Sequence, residues 1–119
     1  MKVTCGTDII EIDRIKKSFE DHSDIFARKI FTDLERDYCE KFRATKYEHY
    51  AARFAAKEAT YKALSNYIEL DWKDIEIENQ DNGKPNINLN VSVPDLEQID
   101  VTLSHCKSYA TAYVVATFK

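Results

Sequence analysis

Tyr47-Glu48-His49-Tyr50-Ala51-Ala52-Arg53-Phe54-Ala55-Ala56-Lys57-Glu58-Ala59-Thr60-Tyr61-Lys62-Ala63-Leu64 reads as one long helix, with no Gly or Pro to interrupt it. Ala51, Ala55, Ala59 and Ala63 recur at i, i+4, with Ala52 and Ala56 beside them. A stripe of such small side chains lets a neighbouring element approach closely, so the spacing predicts a buried helix packed hard against a sheet. Glu58 and Lys62 are also four apart and project side by side. On a solvated face such a pair is ordinary and contributes only a few tenths of a kcal/mol. The flanking alanines instead predict a packed face. A carboxylate there is a hard oxygen ligand of the kind Mg²⁺ takes, and the ammonium is a mobile cation able to follow a phosphate.

Working outward, Val3 to Ile12 is rich in β-branched residues and predicts a strand. Asp8 interrupts its apolar run, either as a surface residue or as a ligand. Gly6 shares its face under period-2 alternation and leaves room for something to approach. Asp8, Glu58 and Lys62 together make a minimal set for Mg²⁺-assisted chemistry on a phosphate ester. Asp13 is a candidate N-cap for a short helix from Arg14 to about Glu20, and Ser23 or Asp24 for a second holding Ile25, Phe26 and Ile30. Thr32-Asp33-Leu34-Glu35 has the pattern of a capping box, opening a helix that runs to about Phe42.

Beyond Leu64 the period changes to two. Ile75 and Ile77 alternate with acidic residues, Asp81-Asn82-Gly83 signals a turn, and Ile87, Leu89, Val91 and Val93 alternate after it, which predicts a hairpin. Ile99 to Ser104 and Tyr109 to Phe118 form a second pair through His105-Cys106-Lys107-Ser108. The last strand is nearly continuously apolar, which predicts a central position or cover on both faces. One strand, several helices and then four strands describe an α+β domain over residues 1–119, its long helix packed on an antiparallel sheet.

The chain has 119 residues and a net charge of −4, with 17 basic and 21 acidic residues, which argues against nucleic acid as partner. Arg14, Lys16 and Lys17 form a local basic patch, either a solvated helix face or a docking surface for an acidic protein. Cys5, Cys39 and Cys106 match no zinc spacing and read as reduced residues in or near the core. No apolar run approaches the roughly 20 residues needed to span a bilayer, and Met1-Lys2 leads directly into a strand without a signal peptide's apolar region. The cytoplasm is the expected address.

Asn82-Gly83-Lys84-Pro85 is a hairpin turn that could also hold Lys84 against a phosphate. His105 shares parity with Ile99, Val101 and Leu103, as a core histidine or as a catalytic one. His22 and His49 carry no motif. Together these segments resemble the holo-acyl-carrier-protein synthases, the small 4′-phosphopantetheinyl transferases, over nearly the whole chain. Gly6-Thr7-Asp8-Ile9-Ile10-Glu11-Ile12-Asp13-Arg14-Ile15 is similar to that family's opening motif, and Arg53-Phe54-Ala55-Ala56-Lys57-Glu58-Ala59 with Lys62 to its signature helix. Asn82-Gly83-Lys84-Pro85 and Leu103-Ser104-His105 follow in the family's order and spacing.

The resemblance implies transfer of the phosphopantetheine arm of coenzyme A to a Ser of apo acyl carrier protein, with release of adenosine 3′,5′-bisphosphate, in the service of fatty-acid synthesis. It implies Mg²⁺ held by Asp8 and Glu58 with the diphosphate, and Lys62 balancing charge on the diphosphate as the bond breaks. Arg53, Lys84, Pro85 and His105 would surround the nucleotide and its phosphates. Arg14, with Lys17, would meet the acidic carrier protein. A homotrimer with sites between subunits is implied too, for which the apolar C-terminal strands are candidate interfaces. The alternative is a non-catalytic relative that binds coenzyme A or the carrier protein, and the intact set Asp8, Glu58 and Lys62 weighs against it. Two departures stand out: Ser65-Asn66-Tyr67 replaces a Gly-rich turn, where Asn can still adopt a left-handed conformation, and Cys106 replaces a small hydroxyl residue.

Overall fold

The computed structural model describes residues 1–119, the side chain of Ser23 excepted. Strand β1 (Lys2–Glu11) leads into helix α1 (Ile12–Ile30), followed by α2 (Asp33–Glu40) and α3 (Lys46–Leu64). A 3₁₀ turn (Trp72–Asp74) precedes β2 (Ile75–Asn79), β3 (Pro85–Leu89), β4 (Leu96–His105) and β5 (Tyr109–Phe118). The strands β1, β5 and β4 form an antiparallel sheet in that order, and β2 pairs with β3 as a separate antiparallel ribbon. The α+β architecture expected from the sequence is therefore present, with the last strand at the centre of its sheet.

The alanine stripe does what its spacing predicts. Ala51, Ala55, Ala59 and Ala63 are essentially buried, and α3 lies across β1 and β5. The approach is closest at Gly6, where a Cβ would lie 1.9 Å from the Ala59 carbonyl oxygen. The room at Gly6 is thus taken by the backbone of α3 and not by a ligand, and the same packing places Asp8, two residues on, on the helix-facing side. Ile10, Val101, Ala112 and Val114 continue this interface.

α1 differs from expectation. It is one helix of 19 residues where two short ones were expected, and its N-cap is Glu11, without a side-chain cap, not Asp13. The backbone runs helically through residues 23–24, so no second helix begins there; the Ser23 side chain lies outside the described residues. Ile12, Ile15, Phe19, Phe26 and Ile30 give the helix a continuous apolar face, and their packing outweighs the local capping signals. Phe19, Phe31 and Tyr50 close this part of the core, with Tyr50 ring centroids at 4.5 Å from Phe19 and 4.9 Å from Phe31. The Thr32 capping box is present as read: the Glu35 amide donates to Thr32 Oγ1 and the Thr32 amide donates to Glu35 Oε1.

Two further expectations need correction. β3 ends at Leu89, so Val91 and Val93 lie beyond the ribbon. β5 takes the central position, the first of the two alternatives expected for it: Ala110, Ala112, Val114, Ala116 and Phe118 point into the core, while Tyr109 and Tyr113 remain about half exposed. Of the cysteines only Cys39 is buried, and burial pushes its thiol up to about 12; Cys5 and Cys106 are exposed. All three are free thiols.

After α3 the chain turns without a left-handed residue at Asn66. The Tyr67 and Ile68 amides donate to the Leu64 carbonyl at 2.9 and 3.1 Å, and the Tyr67 ring stacks on Phe118 at 3.7 Å and 6°. An aromatic anchor thus holds the turn in the stretch where a Gly-rich turn was the reference.

Candidate active site

The crossing of α3 over β1 brings the three sequence-predicted catalytic residues together. Lys62, in the last turn of α3, donates from Nζ to the Thr7 carbonyl at 2.9 Å and stands 3.4 Å from Asp8 Oδ1. The Asp8 side chain is mostly covered, at 18% exposure, whereas that of Lys62 is 51% exposed. Glu58 lies one helical turn before Lys62 and is half-buried. Its carboxyl is held above the ordinary carboxylate range, first by burial and then by the negative charge of Asp8, with Lys62 acting in the opposite sense. The two carboxylates therefore feel each other across the helix–strand interface. A cavity of about 230 Å³ opens beside Glu58, lined by Lys57, Tyr61, Leu70, Asp71, Trp72 and Ile75.

This donor set fits Mg²⁺. Two hard oxygen donors come from facing elements, and their mutual repulsion is what a divalent cation would relieve. Among the described residues no group of three or more His, Cys, Asp or Glu is arranged for a metal. A cation held by Asp8 and Glu58 would complete its shell from water and a phosphate, as Mg²⁺ characteristically does.

Arg53 sits two turns toward the N-terminus of α3, buried at 2% exposure. It donates to Asn79 Oδ1 and lies 4.1 Å over the Tyr38 ring, while its Nε has no hydrogen-bond partner. Asn79 in turn donates to the Gly83 carbonyl at 3.0 Å, and the Gln80 amide to the Lys84 carbonyl at 2.8 Å. Arg53 and the Lys84-Pro85 turn are thereby joined through one asparagine. Gly83 needs its φ of +88° for this turn, which explains a glycine there. Lys84 extends outward to Asp100 Oδ2 at 3.3 Å. A groove of about 550 Å³ runs past Leu34, Tyr38, Lys41, Arg53 and Asn79.

His105 keeps the parity of Val101 and Leu103, but β4 outruns the core there, so the side chain is 40% exposed and not a core histidine. Its Nδ1 stands 4.0 Å from Glu48 Oε2, and its ring is 6.2 Å from that of His49. His49 stacks on Phe42 at 3.8 Å and meets Tyr38 edge-on. Burial first, and then the nearby Arg53 and His105, pull its pKa below the ordinary histidine value. His49 carries no motif in the sequence, yet its ring lies between the surroundings of Arg53 and His105. Its signal was the spacing to Arg53, four residues on along the same helix face. Arg14 and Lys17 stand exposed in the first two turns of α1, apart from these clusters. Exposed Cys106 has its thiol pKa lowered mainly by hydrogen bonds from the Ser108 and Tyr109 backbone.

The profile of the 4′-phosphopantetheinyl transferase superfamily matches residues 4–117. The chain belongs to that superfamily. Within it, the chain is similar to the holo-[acyl-carrier-protein] synthase of Ruminiclostridium cellulolyticum, at 44% identity over 97% of this chain and 92% of the relative. It is 42% identical to the synthase of Chlamydia muridarum over 93% of this chain and 91% of that protein. Among solved superfamily structures, the fold resembles a Chronobacterium ammoniagenes ACPS–CoA complex at a TM-score of 0.86 and 26% identity, covering 100% of this chain and 99% of that one. It also resembles the Bacillus anthracis holo-(acyl-carrier-protein) synthase in complex with CoA (3′,5′-ADP), at a TM-score of 0.81 and 34% identity, over 98% of this chain and 96% of that one.

Proposed function

We propose that this chain transfers the 4′-phosphopantetheine arm of coenzyme A to a serine of apo acyl carrier protein, releasing adenosine 3′,5′-bisphosphate. Superfamily membership and the likeness to synthases of that name support the reading. The observation that carries it is the meeting of Asp8, Glu58 and Lys62 where α3 crosses β1. A module that only bound coenzyme A would have no need of two mutually repelling carboxylates beside a half-exposed ammonium.

In this reading residues 1–119 act as one catalytic domain. Asp8 and Glu58 hold Mg²⁺, which supplies charge neutralisation and orientation for the diphosphate. Phosphoryl transfer asks the protein mainly for positioning and electrostatic stabilisation. Lys62, already suspended over Asp8 and half exposed, follows the charge that builds on the leaving phosphate. Arg53, Lys84, Pro85 and His105 hold the nucleotide and its phosphates, Arg53 and Lys84 being tied to each other through Asn79. Arg14 and Lys17 receive the acidic carrier protein, where charge complementarity raises the encounter rate. The reaction serves fatty-acid synthesis in the cytoplasm; no helix among the described residues is long and apolar enough to cross a membrane.

We further propose a homotrimer. The outer face of the β1-β5-β4 sheet exposes Val3, Ile9, Tyr109 and Tyr113, an apolar surface suited to burial against another copy.

The test is the mass of apo acyl carrier protein after incubation with the chain, coenzyme A and Mg²⁺. A gain equal to one phosphopantetheine, abolished by a chelator, is expected. No gain, with coenzyme A binding still visible by calorimetry, would replace this reading with a non-catalytic binder.

A further inference from the structure

Glu48 stands in the first turn of α3, and His105 is the last residue of β4. The two elements meet so that His105 Nδ1 lies 4.0 Å from Glu48 Oε2, and among the described residues this is the only ion pair that either side chain makes. The carboxylate is the better covered partner, at 27% exposure against 40% for the imidazole. At such a separation a carboxylate and an imidazolium attract as a loose ion pair.

The surroundings decide which histidine carries the charge. Arg53, His49 and His105 are three groups able to be cationic, and Glu48 acts on both rings. His49 is packed between Phe42 and Tyr38, with its ring 6.2 Å from that of His105. Burial, Arg53 and His105 together hold it toward the neutral form. The proton is thereby left to His105, the ring with a carboxylate at Nδ1. From the turn after β4 the exposed Cys106 thiol also feels Glu48, and Tyr38 of α2 adds an uncharged ring against His49.

An imidazolium has two donors, Nδ1–H and Nε2–H. When a carboxylate takes Nδ1–H, the ring is held in one orientation and Nε2–H is left for an anion. A neutral ring cannot serve both, because giving its one N–H to the carboxylate leaves only a lone pair at Nε2. An acid in the first turn of α3 also complements the helix dipole. That accounts for the type of residue at position 48 but not for its place opposite His105.

We propose that Glu48 is a positioning residue for His105: it holds Nδ1 of the imidazolium, so that Nε2–H is presented to a phosphate of the nucleotide part of coenzyme A. This rests on the transferase reading above, in which His105 lies at the nucleotide and its phosphates. Glu48 and His105 belong to one chain, so their relation is the same whichever copy in a trimer completes the site.

The test is calorimetric binding of adenosine 3′,5′-bisphosphate to wild type, Glu48→Gln, His105→Ala and the double variant Glu48→Gln/His105→Ala. At pH 7, Glu48→Gln is expected to weaken binding about fivefold or more, as when a charge-assisted hydrogen bond loses its support. Acid of about pH 5 charges an ordinary imidazole without a carboxylate beside it, so there the ratio between wild type and Glu48→Gln should shrink toward one. The double variant should bind as His105→Ala does, because Glu48 acts through that ring. A role for Glu48 confined to the start of the helix would add its loss to that of His105→Ala and would not vary with pH. Either of those results, or wild-type affinity in Glu48→Gln at pH 7, overturns the proposal. Should Glu48→Gln lose its fold by circular dichroism, Glu48→Asp, which withdraws the charge from Nδ1 by one methylene, is expected to show a loss at pH 7 that vanishes in the His105→Ala background. Wild type that fails to bind the bisphosphate would count against the transferase reading itself. Wild type that binds, with His105→Ala binding equally well, would overturn only the proposal for Glu48 and His105.

Discussion

Lys62 Nζ reaches both the Thr7 carbonyl, at 2.9 Å, and Asp8 Oδ1, at 3.4 Å, so a single ammonium ties the last turn of α3 to the middle of β1. The two side chains are unequally placed: Asp8 is mostly covered under the helix, and Lys62 is half exposed. A cation and an anion arriving together would each find a partner in this pair, the metal at Asp8 and a phosphate at Lys62.

Glu58→Gln keeps the size of the side chain and removes one of the two proposed metal ligands. Secondary structure should be unchanged by circular dichroism, turnover should fall by about two orders of magnitude or more, and the Mg²⁺ concentration for half-maximal rate should rise. Unchanged turnover at saturating Mg²⁺ would sink the ligand assignment.

The same substitution should alter stability in the opposite sense. Burial and Asp8 raise the Glu58 pKa in the folded state, so the folded protein binds that proton more tightly than the unfolded chain does. The contribution of this group to stability is present below the ordinary glutamate value of about 4.3. It is lost as pH rises through the elevated folded value. Without divalent cations, Glu58→Gln is therefore expected to melt higher than wild type near neutral pH, with the gap closing below about pH 4. Added Mg²⁺ should stabilise the wild type and leave the variant nearly unmoved. Melting curves across pH decide this, and a variant that melts lower at neutral pH refutes the electrostatic account.

Gly6→Ala places a methyl group 1.9 Å from the Ala59 carbonyl oxygen, against backbone and not against a flexible side chain. The helix must lift off β1, at a cost of about 3 kcal/mol or more. Because Asp8 and Glu58 meet across that same interface, the metal response should weaken together with stability. Denaturant unfolding within about 0.5 kcal/mol of wild type would mean that the packing is looser than described.

Charge reversal at Arg14 should raise KM for the carrier protein, more so at low ionic strength, and leave KM for coenzyme A unchanged. Parallel changes in both constants would point to a folding defect.

Tyr113→Lys, on the outer sheet face, should dissociate the proposed trimer without unfolding the chain. Sedimentation of wild type as a monomer at micromolar concentration would already dispose of that assembly.

The legibility of this molecule followed the kind of signal involved. Periodic signals were read well: the alanine stripe of α3, the Thr32 box and the alternation of β4 all describe one element at a time. The break expected near residues 23–24 failed because tertiary packing of Phe19 and Phe26 extends a helix past its local stop signals. Asp8, Glu58 and Lys62 were visible as chemistry-bearing types, but nothing local in Gly6 distinguished a place for a ligand from a place for a helix backbone. The buried ion pair of Glu35 and Lys57, with Oε1 and Nζ 2.7 Å apart, was hidden more deeply. Glu35 was accounted for by its cap, and Lys57 looked like any charge on a long helix. Only the burial of 11 of the 19 residues of α3, hinted at by the alanines around Lys57, separates it from a solvated residue. Arg53 was singled out in advance, but its connection to Lys84 depends on Asn79, which had no motif of its own.

The pairing of β1 with β5 has a consequence for how the molecule is born. Thr7 Oγ1 donates to the Ala112 carbonyl across 105 residues of chain, and the strand between β1 and β4 is the last of the five to leave the ribosome. Until then β1 has no strand to pair with, and α3 has only β1 beneath it. β1 and the three helices emerge first, and the helices can associate through their aromatic contacts, but no complete sheet can hold Asp8 under Glu58 before Phe118 is made. The cluster of Asp8, Glu58 and Lys62 should therefore be among the latest parts of the protein to form, with sheet closure the slow step, as expected for contacts so distant along the chain.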